Sequence, residues 1–218
     1  MAFFLAIPSI FILLILSLSA LYTMLSNIGI DKKNGSLFCL GFFAGLILLS
    51  QSSKWLRTLL HEVKHAAMIV ISGNILTDLQ VHEQGGHVMH KTYKDKKHFG
   101  PFISLAPYFF PFFSLPTLVA GLVLDTYANT LFASLLGAAV AIDIVSAYRT
   151  LSPRQSDIQR IFGGVIFSYF FIFGFNILWI LQCLIWIQGG RDGFVILGYK
   201  LLDVSELLSQ YVREFLSD

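Results

Sequence analysis

The chain has 218 residues, a mass of 24.4 kDa, 56% hydrophobic and 13% charged residues, a mean hydropathy of +0.72 and a formal net charge of +2. A water-soluble domain of this size cannot hide that much apolar surface, and disordered chains are apolar-poor and charge-rich, so both classes are excluded and lipid is the expected solvent. The small net charge supplies no strong basic field, so no nucleic-acid partner is expected.

The first apolar run is about 3–24. No basic residue precedes it and it is too long for a signal-peptide core, so an uncleaved transmembrane helix is expected, kinked at Pro8. A short polar loop with Asp31, Lys32 and Lys33 leads to a second run at about 36–51, and a third follows at about 54–72. The third is interrupted by Arg57, His61, Glu62, Lys64 and His65, an odd population for a membrane helix.

Residues 73–100 form the longest polar region. Segments 75–82 and 87–93 read as strands, and Glu83-Gln84-Gly85-Gly86 between them has hairpin chemistry. Lys94-Asp95-Lys96-Lys97 reads as a solvated turn. The fourth run, about 101–124, carries Pro101, Pro107, Pro111 and Pro116, so one straight helix is not expected. The fifth, about 129–148, contains a lone Asp143. In the polar link that follows, Ser152-Pro153 reads as an N-cap with Pro at the first helical position. The sixth run, about 161–188, carries Asn176, suited to bonding across helices. The tail from Arg191 is mildly amphipathic through Leu201, Leu202, Val204, Leu207, Leu208, Tyr211, Val212 and Phe215. Cys39 and Cys183 both lie in apolar stretches and read as buried free thiols.

The expected fold is therefore an all-α polytopic membrane protein. It has about six transmembrane helices and a small membrane-associated β-hairpin at about 75–93. Leading helices occupy 1–53, a core 54–160, and a last helix with the tail 161–218. The distribution of Lys and Arg places the hairpin loop in the cytoplasm and both termini outside.

The chemistry lies in His61-Glu62-Val63-Lys64-His65, a His-Glu-x-x-His sequence. On a helix, positions i and i+4 share a face, so both imidazoles can bind one metal, with zinc expected. Glu62 sits beside them, placed to deprotonate a bound water as general base. Polar side chains are costly in a membrane helix, and a metal offsets that cost. A hydrolytic site needs a third protein ligand. Six residues past His65 stands Ile71, which excludes the metzincin pattern, and Glu83 falls in the expected turn. Asp143, isolated in an apolar run, is the preferred third ligand, with Asp157 as its rival. Arg57 is read as snorkelling to the interface, and His82, His87, His90 and His98 as exposed histidines around the hairpin.

These residues resemble the site-2 protease family of intramembrane zinc metalloproteases. Its members carry His-Glu-x-x-His in a transmembrane helix, then a membrane-associated hairpin, then helices that bring an Asp ligand. The resemblance covers about residues 54–160, and Gly85 to His90 is similar to the Gly-rich strand of small bacterial members. Family members commonly have Asp-Gly at the third ligand, whereas Ile144 follows Asp143 and Ile158 follows Asp157 here. No inserted regulatory domain stands out in the sequence.

The resemblance implies a zinc endopeptidase that cleaves a transmembrane segment of another membrane protein. The expected partners are that substrate and the lipid bilayer, with room for a regulatory membrane partner. The expected location is a bacterial cell membrane, multi-pass. The competing class is a non-proteolytic membrane protein with a structural or transport-related metal site.

Overall fold

The computed structural model describes residues 2–27, 31–93, 99–124, 130–161 and 163–217. The Lys94–Lys97 cluster, His98 and the polar break at 125–129 lie outside the described residues, as do the side chains of Val204, Leu207, Leu208, Tyr211, Val212 and Phe215 on which an amphipathic tail rests. Helices α1 (Ala2–Asn27), α2 (Lys32–Ser50) and α3 (Lys54–Ile71) lead into an antiparallel hairpin, β1 (Ile75–His82) and β2 (Gly85–Lys91). Then follow α4 (Gly100–Phe109), α5 (Ser114–Leu124), α6 (Thr130–Thr150), the one-turn α7 (Ser156–Gln159) and the long α8 (Gly164–Ser217).

Three helical stretches are long and apolar enough to cross a membrane: Lys32–Ser50, Leu131–Thr150 and Gly164–Asp203. A fourth arises if α4 and α5, bent by 81° at their junction, form one broken span. This is a coarser result than the six spans expected from sequence. Helix α3 carries Lys54, Arg57, Glu62 and Lys64, which keeps it outside this set, and the described apolar stretch of α1 is the shorter Ile10–Thr23. Large apolar side chains point outward along the long helices, among them Phe43, Ile47, Leu131, Leu135, Phe170 and Ile177. An outward apolar belt of this kind fits lipid rather than water.

Helices α2 and α6 pack backbone to backbone. A Cβ on Gly41 would lie 1.9 Å from the Ser134 carbonyl oxygen, and one on Gly137 would lie 2.1 Å from that of Phe38. Gly41 and Gly45 form a Gly-x-x-x-Gly pair, and small residues let helices approach closely where lipid provides no hydrophobic drive. Arg149 closes the contact by donating to the Leu49 carbonyl at the α2 terminus, 3.0 Å away. Helix α8 joins this layer through Trp186, Cys183 and Ile187, and over the same stretch it packs along α1, where Gln182 donates to Ser17 Oγ at 2.8 Å. Gly190, at φ 55°, kinks α8 at the expected boundary between the last span and the tail. Both cysteines are free, but only Cys183 is buried; Cys39 is exposed, contrary to the expectation from its apolar surroundings.

Ser53 caps α3 by accepting from the Leu56 amide, a contact worth about 1 kcal/mol. Its far end closes with Gly73 in the left-handed region (φ 69°), where the amides of Gly73 and Asn74 reach the carbonyls of Val70 and Ile69. That left-handed stop turns the chain directly into β1. In the hairpin, His82 faces Gly85 across a two-residue turn, Glu83-Gln84. Gly85 and Gly86 thus belong to β2 rather than to the turn, and the second strand starts two residues earlier than the sequence pattern suggests.

The prolines account for the break between α4 and α5. Pro111 forces the preceding Phe110 into an extended conformation (φ −71°, ψ 119°), which ends α4. Pro107 sits inside α4 and has no N–H to offer the Ile103 carbonyl four residues back. Asn176 of α8 donates to the Tyr108 carbonyl at 2.8 Å, the cross-helix bond expected of it. Ser152-Pro153 does not cap a helix. It makes a turn, with the Gln155 amide reaching the Ser152 carbonyl at 3.0 Å, and α7 starts only at Ser156.

Candidate metal centre

Residues on α3 recur every 3.6 positions, so His61 and His65 lie one turn apart with ring centroids 5.0 Å from each other. The third member of the group comes from α7. Asp157 Oδ2 lies 3.6 Å from His61 Nε2 and 3.5 Å from His65 Nε2. Among the described residues, this is the group of His, Cys, Asp and Glu side chains close enough to hold one ion. A tetrahedral zinc with bonds of about 2.0–2.1 Å sets its ligand atoms about 3.3 Å apart. The two aspartate–histidine separations are within a few tenths of an ångström of that edge, so two imidazoles and one carboxylate could hold a divalent ion of the size of zinc.

Burial raises the affinity of the Asp157 carboxyl for its proton, but hydrogen bonding and charge from His61 and His65 outweigh it and hold the group below its ordinary range. Its position follows from its neighbour. Ile158 is fully buried in the cluster of Ile10, Leu105, Tyr108, Phe109 and Phe171, and Ser168 Oγ donates to the Ile158 carbonyl at 3.1 Å. Anchoring Ile158 on the core side leaves Asp157 facing α3.

His65 is oriented by α4. Its Nδ1 lies 2.7 Å from the Ile103 carbonyl oxygen, which can only accept, so Nδ1 is the protonated nitrogen of the neutral ring and Nε2, which faces Asp157, is the nitrogen left for a metal. That carbonyl is available because Pro107 cannot occupy it. The His61 ring packs edge-on against Tyr108, with centroids 5.5 Å apart.

An open cavity of about 630 Å³ exposes the group. Its walls include Thr58, His61, Glu62 and His65 of α3, Gly85 to Val88 and His90 of the hairpin, and Asp157 and Arg160. Glu62 is only 6% exposed, because the hairpin lies on it: a Cβ on Gly86 would sit 2.6 Å from Glu62 Cγ. Gly86 is therefore the residue that lets β2 descend onto the carboxylate. Glu83 stays in the exposed turn, away from the group. His87 pairs with Asp78 on the strand face, at 3.8 Å.

Asp143, the preferred third ligand from the sequence, is not brought to the histidines. Its carboxylate is committed elsewhere. Oδ1 lies 3.2 Å from Lys64 Nζ. Oδ2 accepts from the amides of Phe113 and Ser114 and from Ser114 Oγ at 3.0, 2.8 and 2.8 Å. Asp143 thus neutralises a buried lysine and caps the start of α5. The rival, Asp157, takes the place beside the histidines. Lys64 neither snorkels nor faces the cavity. Tyr108, Gly86 and the Pro107–Ile103 device escaped the sequence reading; the Pro107 spacing was a visible signal, but the identity of the donor replacing its N–H was not.

Comparison with family models, with curated proteins and with solved structures returned no match.

Proposed function

We propose that this chain is a zinc-dependent intramembrane endopeptidase of the site-2 protease type. The observation that carries the reading is the convergence of His61, His65 and Asp157, with ligand atoms all within 4.8 Å of one another, on the wall of an open cavity that also holds Glu62. Three protein ligands beside open space are the pattern of a catalytic site, whereas structural zinc sites close with four.

When bound, zinc supplies Lewis acidity toward a carbonyl and acidifies water. Glu62 accepts a proton from the attacking water. The water oxygen bonds to the scissile carbonyl carbon, the C–N bond breaks, and Glu62 returns the proton to the leaving amine. The low exposure of Glu62 keeps this transfer away from bulk solvent. A substrate helix hides its carbonyls in its own hydrogen bonds, so the substrate segment must unwind. Strand β2 lines the cavity and belongs to a two-stranded sheet, which supports a role in holding an extended segment by strand addition. In this reading α1, α2, α3, the bent α4–α5 pair, α6 and α8 make six crossings of a membrane, and the substrate is another membrane protein.

The test is zinc content and cleavage of a transmembrane reporter segment by the protein reconstituted in liposomes. Wild type holds one zinc and cleaves. His61→Ala loses both zinc and cleavage. Glu62→Gln keeps zinc and loses at least about 100-fold in turnover, the lower range of general-base effects. Stoichiometric zinc without cleavage of any reporter points to a structural or transport site; no zinc in wild type removes the metalloprotease reading.

A further inference from the structure

We propose that the buried Lys64–Asp143 pair is the positioning device of the metal centre, setting the roll of α3 about its axis and thereby the aim of both histidines. The inference rests on the metalloprotease reading and assigns a function to the one lysine inside the motif. Lys64 is 1% exposed and Asp143 5%. All three ammonium protons are used: toward Asp143 Oδ1 at 3.2 Å, the Asp143 carbonyl at 3.2 Å and Ser146 Oγ at 2.9 Å.

The network reaches four helices. Asp143 and Ser146 belong to α6. The Asp143 carboxylate takes the first amides of α5, and Ser114 Oγ accepts from Trp179 Nε1 of α8 at 2.8 Å. Lys64 of α3 is thus tied to a polar node shared with α5, α6 and α8.

Geometry makes this tie decisive for the metal ligands. At 100° per residue, Lys64 projects about 60° from His61 and about 100° from His65 around the helix, so its anchor and the ligand pair lie on adjacent sectors of α3. At a side-chain radius of about 5–6 Å, a roll of about 20° moves a ligand atom by about 2 Å. Metal bonds tolerate about 0.2 Å. The same node also fixes the junction from which α4 presents the Ile103 carbonyl to His65, because Asp143 caps α5 immediately beyond the break. A node that only added stability could be replaced by apolar side chains without cost to the metal, since buried ion pairs exchanged for apolar residues are often neutral in stability.

The experiment compares wild type with Lys64→Met/Asp143→Leu in detergent. It reads zinc affinity by chelator competition, the ligand-field spectrum of the cobalt-substituted protein, and thermal unfolding of the metal-free protein. The expected result is a folded variant that binds zinc about 10–100-fold more weakly, with shifted cobalt bands, as for loss of outer groups that orient ligands. A folded variant with wild-type zinc affinity and cobalt spectrum overturns the proposal and leaves the metalloprotease reading standing. If the double variant does not fold, Ser146→Ala decides: it removes one acceptor of Lys64 and nothing from the ligand group. A few-fold weaker zinc affinity with altered cobalt bands supports the proposal; unchanged values overturn it. Wild type that binds no zinc overturns both.

Discussion

Asp143 and Asp157 are fourteen residues apart in sequence and do opposite work. Asp143 lies in the apolar interior, where its environment supplies one cation and three hydrogen-bond donors. Asp157 lies at the edge of an open cavity, where two imidazoles face it and part of the carboxylate remains exposed. The contrast teaches that isolation in an apolar run says that a carboxylate must be compensated, but not by what. A lysine with a helix N-terminus satisfies that demand as well as a metal does.

The largest expected effect that tests this contrast is Asp157→Ala, which removes a ligand of the proposed zinc site: the variant should purify without zinc while metal-free unfolding is little changed. Elemental analysis with calorimetry reads both. Retention of stoichiometric zinc would sink the assignment of Asp157.

Asp143→Ala leaves Lys64 buried without its counter-charge, and removing one member of a buried pair costs about 3–5 kcal/mol. Thermal or denaturant unfolding of the metal-free protein should show that loss. A variant as stable as wild type would show that the pair does not hold the fold.

Pro107→Ala restores an N–H that competes with His65 for the Ile103 carbonyl. Zinc affinity should fall about 10-fold, in the range for lost ligand orientation, while stability holds or rises. Unchanged affinity would mean that the His65 contact is incidental.

Gly86→Ala sharpens the comparison on the cavity side. The new methyl meets Glu62 Cγ, so the hairpin or the carboxylate must shift. Turnover should drop several-fold at unchanged zinc content. Equal turnover would show that the hairpin yields without disturbing Glu62.

Much of this was legible in the sequence because it is local. Ile75 to Lys91 alternates and contains turn chemistry, so the hairpin was visible, although Gly85 and Gly86 entered the strand because the turn needs only two residues. The break in 101–124 was visible because proline constrains its neighbours wherever it stands. The spans were less legible: charges on α3 and the sharp bend between α4 and α5 blur the count, giving three or four candidate crossings rather than six.

By itself, the sequence determined that lipid is the expected solvent, that α3 presents His61 and His65 on one face, and that Glu62 stands beside them. These depend on composition and on the 3.6-residue period, both of which are fixed within a short window. Only the tertiary structure decided which aspartate meets the histidines, which partner Lys64 takes, and which donor fills the carbonyl left open by Pro107. Those pairings link residues that are tens of positions apart, and they follow from how α6 seats on α2 and how Ile158 draws α7 into the core. A carboxylate is the same group in either place, and packing alone sets what faces it.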